Sequence, residues 1–125
     1  MDNIYEEINL KHHNLSQEID TNLHALYINT QSYDQAVSKR KNKEAEILLG
    51  TPKEIMGTSE SARKAYIRQE ARAEFFTEEE LGAEKKRLEA VIEQLKTHRR
   101  HLEFKVELLK LISQKLEAPK WVKID

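Results

Sequence analysis

Leucine returns at every seventh position from Leu81 through Leu88, Leu95, Leu102 and Leu109 to Leu116. A straight α-helix drifts about 20° per heptad against such a repeat, so the stripe would swing by roughly 100° over this distance. It stays aligned only on a helix that supercoils around a partner helix. Thr77-Glu78-Glu79-Glu80 fits a capping box, with Phe76 and Leu81 as the flanking hydrophobic staple. Pro119 supplies a stop signal. The pattern therefore predicts a last long helix over 77–117.

Upstream, Leu15, Ile19, Leu23, Leu26, Thr30, Tyr33, Val37 and Ile47 follow helical spacing up to Gly50-Thr51-Pro52. Glycine after a helix with proline close behind is a stop of the expected kind. This predicts a first long helix over 15–49. Ile55-Met56-Gly57-Thr58 reads as a loop, and Ser59 to Phe75 as a shorter helix. Residues 1–14 read either as an arm or as a short amphipathic helix through Ile4, Ile8 and Leu10. Residues 118–125 read as a tail whose alternation would suit a docked strand or a loose end. The two matched long helices predict an all-α single domain over 1–125: a long antiparallel helical hairpin, or coiled coil, with a shorter connecting helix.

Between Leu102 and Ile112 the last helix is apolar nearly all round, with Phe104, Val106, Leu108, Leu109 and Leu111 between them. A helix apolar on most faces is buried on most faces. One partner helix covers one stripe, so the surplus is covered by the short helix and tail or by a neighbouring subunit. Self-association is the favoured reading, with Leu95, Leu102, Val106, Leu109, Ile112 and Leu116 as the oligomer interface.

Composition agrees with long solvated helices: 38% of residues are hydrophobic, 34% are charged, and there are three glycines and two prolines. The absence of cysteine excludes disulfides, thiolate metal sites and cysteine nucleophiles. No signal peptide and no apolar run of membrane-spanning length is evident, so a soluble cytoplasmic protein is expected, with no membrane partner. The net charge of −1 conceals an asymmetry. Residues 1–37 hold six acids against the single base Lys11, whereas residues 38–75 hold nine bases against six acids. An acidic arm before a basic middle suits self-association or partner recognition.

Catalytic chemistry finds little support. There is no nucleophile elbow, phosphate loop or dinucleotide fingerprint. His98 and His101 share a helix face but lack the glutamate three residues before histidine that a dimetal bundle needs. Arg99 and Arg100 beside them would repel a cation. The carboxylates alternate with bases at helical spacing, as in Glu84 with Arg87, Glu93 with Lys96 and Glu107 with Lys110. The expectation is a non-enzymatic protein with no catalytic, cofactor or metal site.

Nucleic-acid binding has a residue basis. Arg63, Lys64, Arg68 and Arg72 share a face of the short helix near Tyr66 and Phe75, and Lys96, Arg99 and Arg100 form the most basic stretch of the last helix. Positive charge interleaved with aromatic platforms suits a single strand. The segments Lys85-Lys86-Arg87-Leu88-Glu89-Ala90, Leu95 to Glu103 and Val106 to Leu111, preceded by Gly57-Thr58-Ser59-Glu60-Ser61-Ala62, resemble small helical phage proteins of the UvsY-type recombination-mediator group. The resemblance spans about half the chain. It implies an oligomer that binds single-stranded DNA and protein partners during recombination or replication. The alternatives are a phage anti-defence inhibitor that binds a protein target stoichiometrically, and a structural coiled-coil assembly protein.

Overall fold

The structure is a computed structural model that describes the backbone of residues 2–122 and the side chains of residues 3–116. It is all helical: α1 spans Asp2–Gly50, α2 Lys53–Met56, α3 Glu60–Glu70 and α4 Arg72–Val122. The long helices α1 and α4 pack against each other as an antiparallel hairpin. The chain divides into two compact units, one of Met1–Leu23 with Ala90–Asp125 and one of His24–Glu89.

In the first unit the leucine heptad finds its partner within the same chain. Ile8 and Leu15 of α1 are buried with Leu102, and Leu95, Val106 and Leu109 pack around them. Ile19 and Ile92 are also buried there. His12 Nε2 meets Glu103 Oε1 at 3.0 Å, and Arg99 Nη1 donates to Ser16 Oγ at 3.4 Å. These pairs run in opposite chain directions, as an antiparallel seam requires.

In the second unit Ile47, Met56 and Ala71 form a small core, with Tyr66, Ile67 and Phe75 packed on it. α1 stops at Gly50 as its glycine and proline predict. Pro52, extended with φ at −62°, precedes α2 and accepts from the amides of Ile55 and Met56. Gly57 has φ of +102°, a conformation that L side chains rarely adopt. Ser59 caps α3, its Oγ accepting from the Ala62 amide at 3.1 Å.

Four boundaries differ from the sequence reading. Residues 2–14 belong to α1 rather than to an arm, because Ile8 lies one heptad before Leu15 and buries beside it. Ile55 and Met56 form the single turn α2 rather than a loop, because Pro52 fixes the backbone that starts it and Met56 is buried. Thr77 is no N-cap: it lies inside α4 and its hydroxyl donates to the Ala73 carbonyl at 3.0 Å. The junction falls at Ala71 instead, since no glycine or proline interrupts residues 72–81. α4 also runs past Pro119 to Val122, one turn beyond the predicted stop. A proline there forfeits a single backbone hydrogen bond in the last turn. Of the predicted tail, residues 123–125 lie outside the described residues.

Candidate interaction surfaces

The last third of α4 carries two apolar sides. One faces α1: Leu95, Leu102, Val106 and Leu109, expected at a subunit interface, here pack on Ile8 and Leu15 of the same chain. The other holds Phe104, Leu108, Leu111 and Ile112, exposed at 65%, 43%, 55% and 51%. At about 100° per residue, Phe104, Leu108 and Leu111 lie on the side of the helix opposite Leu102. Their spacing of four and then three residues is that of a second coiled-coil seam. Ile112 and Leu116, also expected at an interface, are exposed and bridge the arc from Leu109 to this outer side.

α1 has a hidden heptad of its own. Every residue at positions 8, 15, 22, 29, 36 and 43, and at 12, 19, 26, 33, 40 and 47, is buried or half-buried. Several of these are polar: His12, Asn22, Asn29, Arg40 and Lys43. Asn29 is the one polar side chain that is buried among the described residues, and its Oδ1 has no hydrogen-bond partner.

The second unit holds a charged network on an aromatic ring. Arg40 binds Glu78 and also Glu44, the latter at 3.2 Å. Its guanidinium lies 5.4 Å from the centre of the Phe75 ring. The Arg68 guanidinium lies 5.1 Å from the same ring and binds Glu79 at 2.7 Å. Phe75 is therefore engaged by two cations of its own chain. Lys85 Nζ similarly lies 5.4 Å from the Tyr33 ring.

The basic residues expected to meet nucleic acid fall in separate units. Arg63, Lys64, Arg68 and Arg72 lie in the second, and Lys96, Arg99 and Arg100 in the first. Lys64 pairs with Glu60 at 3.2 Å, Arg68 with Glu79, and Arg99 turns toward Ser16 in the seam. Arg63, Arg72, Lys96 and Arg100 make no ion pair among the described residues. Arg72 lines an open groove of about 410 Å³ with Gln69, Glu70, Ala73 and Phe76, and the Phe76 ring is exposed. The sequence reading named Tyr66 and Phe75 as the nearby aromatics; both are half-buried, and Phe76 is the more exposed ring.

Among the described residues no group of histidines and carboxylates is arranged to hold a metal ion. No described helix is long and apolar enough to cross a membrane. In comparisons with known proteins, no family, curated protein or solved structure matches this chain.

Proposed function

We propose that this chain is a non-enzymatic helical hairpin that assembles with further copies of itself through the outer side of α4. The observation that carries this reading is the exposed stripe of Phe104, Leu108 and Leu111 with Ile112 beside it. A four–three apolar spacing is the pattern another helix buries, and it offers no hydrogen-bonding groups to a small molecule or a nucleotide. A second copy supplies the matching element, because the same stripe on α4 of another subunit is self-complementary about a twofold axis. The arc continues through Ile112 to Leu109, so a second α4 would extend a seam that the hairpin has already begun. Sedimentation equilibrium tests this: the intact chain should sediment above its 14.7 kDa monomer mass. A variant with serine at 104, 108 and 111 should return to that mass while staying helical.

Single-strand binding in phage-type recombination is the second reading. It is favoured by Arg72, which makes no ion pair among the described residues, beside the exposed ring of Phe76. Bases stack on exposed aromatics, and each neutralised phosphate adds to the salt dependence of affinity. Titration of a labelled oligonucleotide at several salt concentrations tests it. Binding that weakens with salt and is lost in Arg72→Ala with Phe76→Ala supports it. No binding at low salt removes it.

A further inference from the structure

α3 is an amphipathic segment held only by partly buried and exposed side chains. It contains no buried residue, yet Tyr66 and Ile67 lie over the core of Ile47, Met56 and Ala71. What joins it to the rest of its unit is narrow. At its start stands Gly57, whose positive φ marks a bend. At its end, Ala71 departs from helical geometry (φ −99°, ψ 23°) while the residues on both sides are helical. Helix-type hydrogen bonds nonetheless cross this point, from the Ala71 amide to the Ile67 carbonyl at 2.8 Å and from the Phe75 amide to the Ala71 carbonyl at 3.0 Å. Only one residue's torsions separate α3 and α4 from a single continuous helix. Across the junction, Arg68 reaches α4 twice, through the Glu79 carboxylate and the Phe75 ring.

We infer that α3 is a strap, latched by Arg68, that hinges at Ala71 and uncovers the apolar core of the second unit. The latch is weak because both members of the Arg68–Glu79 pair are largely solvent-exposed, at 65% and 61%. Salt screens such a pair. The cation–π contact is of the modest kind that exposed sites give. Segments with few buried contacts open well below the cost of global unfolding. The surface under the strap, Ile47, Met56 and Phe75, adjoins in sequence the exposed Leu48, Leu49 and Ile55. Opening therefore converts scattered apolar side chains into a larger apolar region. Lys64 takes no part in the latch, because its partner Glu60 belongs to α3 itself.

Amide hydrogen exchange on the intact protein reads the opening, because an 11-residue helix released from its core is marginal in water and frays. In the unmodified chain, amides 63–70 should exchange faster than those of α4 between residues 88 and 102. Arg68→Ala should lower protection of 63–70 about fivefold, the loss expected for one exposed ion pair and one cation–π contact. The α4 amides should be unchanged, and 1 M salt should reproduce most of the effect. Lys64→Ala should change protection of 63–70 by less than twofold. The chain has no native cysteine, so the thiol of Met56→Cys gives a second readout: its labelling should accelerate with Arg68→Ala. Amides 63–70 as protected as α4, or an equal loss in both regions on Arg68→Ala, would overturn the strap, since α3 would then open only with the whole fold.

Discussion

The Arg40 guanidinium holds the Glu78 carboxylate at both ends, Nε to Oε2 and Nη2 to Oε1, the latter at 3.3 Å. Both side chains are more than four-fifths covered. The hydrogen bond to Glu78 is the main cause that raises the Arg40 pKa above its ordinary value. A raised pKa on a cation gives stability that is complete below the unfolded value and is lost only as pH climbs through the folded one. The bond therefore acts undiminished at neutral pH. Glu78→Gln removes the two-point partner of a largely covered guanidinium and leaves it only Glu44, so it should cost about 1–3 kcal/mol. Urea denaturation at neutral pH checks this, and an unchanged midpoint would contradict it.

Gly57 and Gly82 should respond oppositely to alanine. At Gly57, φ is +102° and a Cβ would lie 2.8 Å from the Ala62 Cβ, so both strain and a clash oppose the change. Gly57→Ala should lose about 1–2 kcal/mol. Gly82 sits inside α4, where a Cβ would lie 3.3 Å from the Tyr33 ring. That ring is half-buried and lines an open groove beside Gly82, into which a shift of a few tenths of an ångström would take it. Alanine also gains up to about 1 kcal/mol of helix propensity over glycine. Gly82→Ala should therefore raise the melting temperature slightly, and a fall would show that Tyr33 cannot yield.

Asn29 places an unpartnered amide oxygen in the seam. Asn29→Leu should stabilise the fold by about 1–2 kcal/mol, since it removes an unsatisfied buried polar atom and adds apolar area. Thermal unfolding measures the gain. A loss would mean that the oxygen has a partner in the assembled protein, because a buried seam asparagine commonly fixes register or subunit number.

At acid pH the exposed Glu84–Arg87 pair sets a small effect of known sign. The hydrogen bond from Arg87 holds the Glu84 carboxyl below its usual range. Its contribution is present above the unfolded value and fades as pH falls through the folded one. Glu84→Gln should make stability depend less on pH in the carboxylate range. Urea midpoints of the two proteins at about pH 6 and about pH 3 should converge on the acid side. Divergence there would reverse the sign.

The hairpin was legible because α4 writes its seam in leucine, and because Gly50 and Ser59 mark the ends of α1 and α3 with residues whose chemistry terminates or caps a helix. The α1 side of the seam was legible only in part, through Leu15, Ile19, Leu26, Tyr33 and Ile47. Its heptad passes through His12, Asn22, Asn29, Arg40 and Lys43, and a hydrophobic pattern cannot reveal positions filled by polar side chains. The acidic run at Thr77 imitated a helix start because glutamates also suit the interior of an exposed helix. The Glu60–Lys64 pair is written in the sequence at i,i+4, whereas Glu79, eleven residues beyond Arg68, becomes its partner only through the break at Ala71. The outer side of α4 was visible as excess hydrophobicity. Only the placement of α1 divides that excess into a filled seam and an open one.

The most direct measurement is the solution mass of three proteins across a concentration series: the intact chain, Leu102→Ala, and the Phe104→Ser, Leu108→Ser, Leu111→Ser variant. Leu102→Ala empties the seam to α1 and should lose about 2–4 kcal/mol of stability. The triple variant should keep its helical circular dichroism and its melting behaviour as a monomer, yet fall from the assembled mass to 14.7 kDa. An intact chain that sediments at 14.7 kDa up to high micromolar concentration would contradict assembly through the outer side of α4.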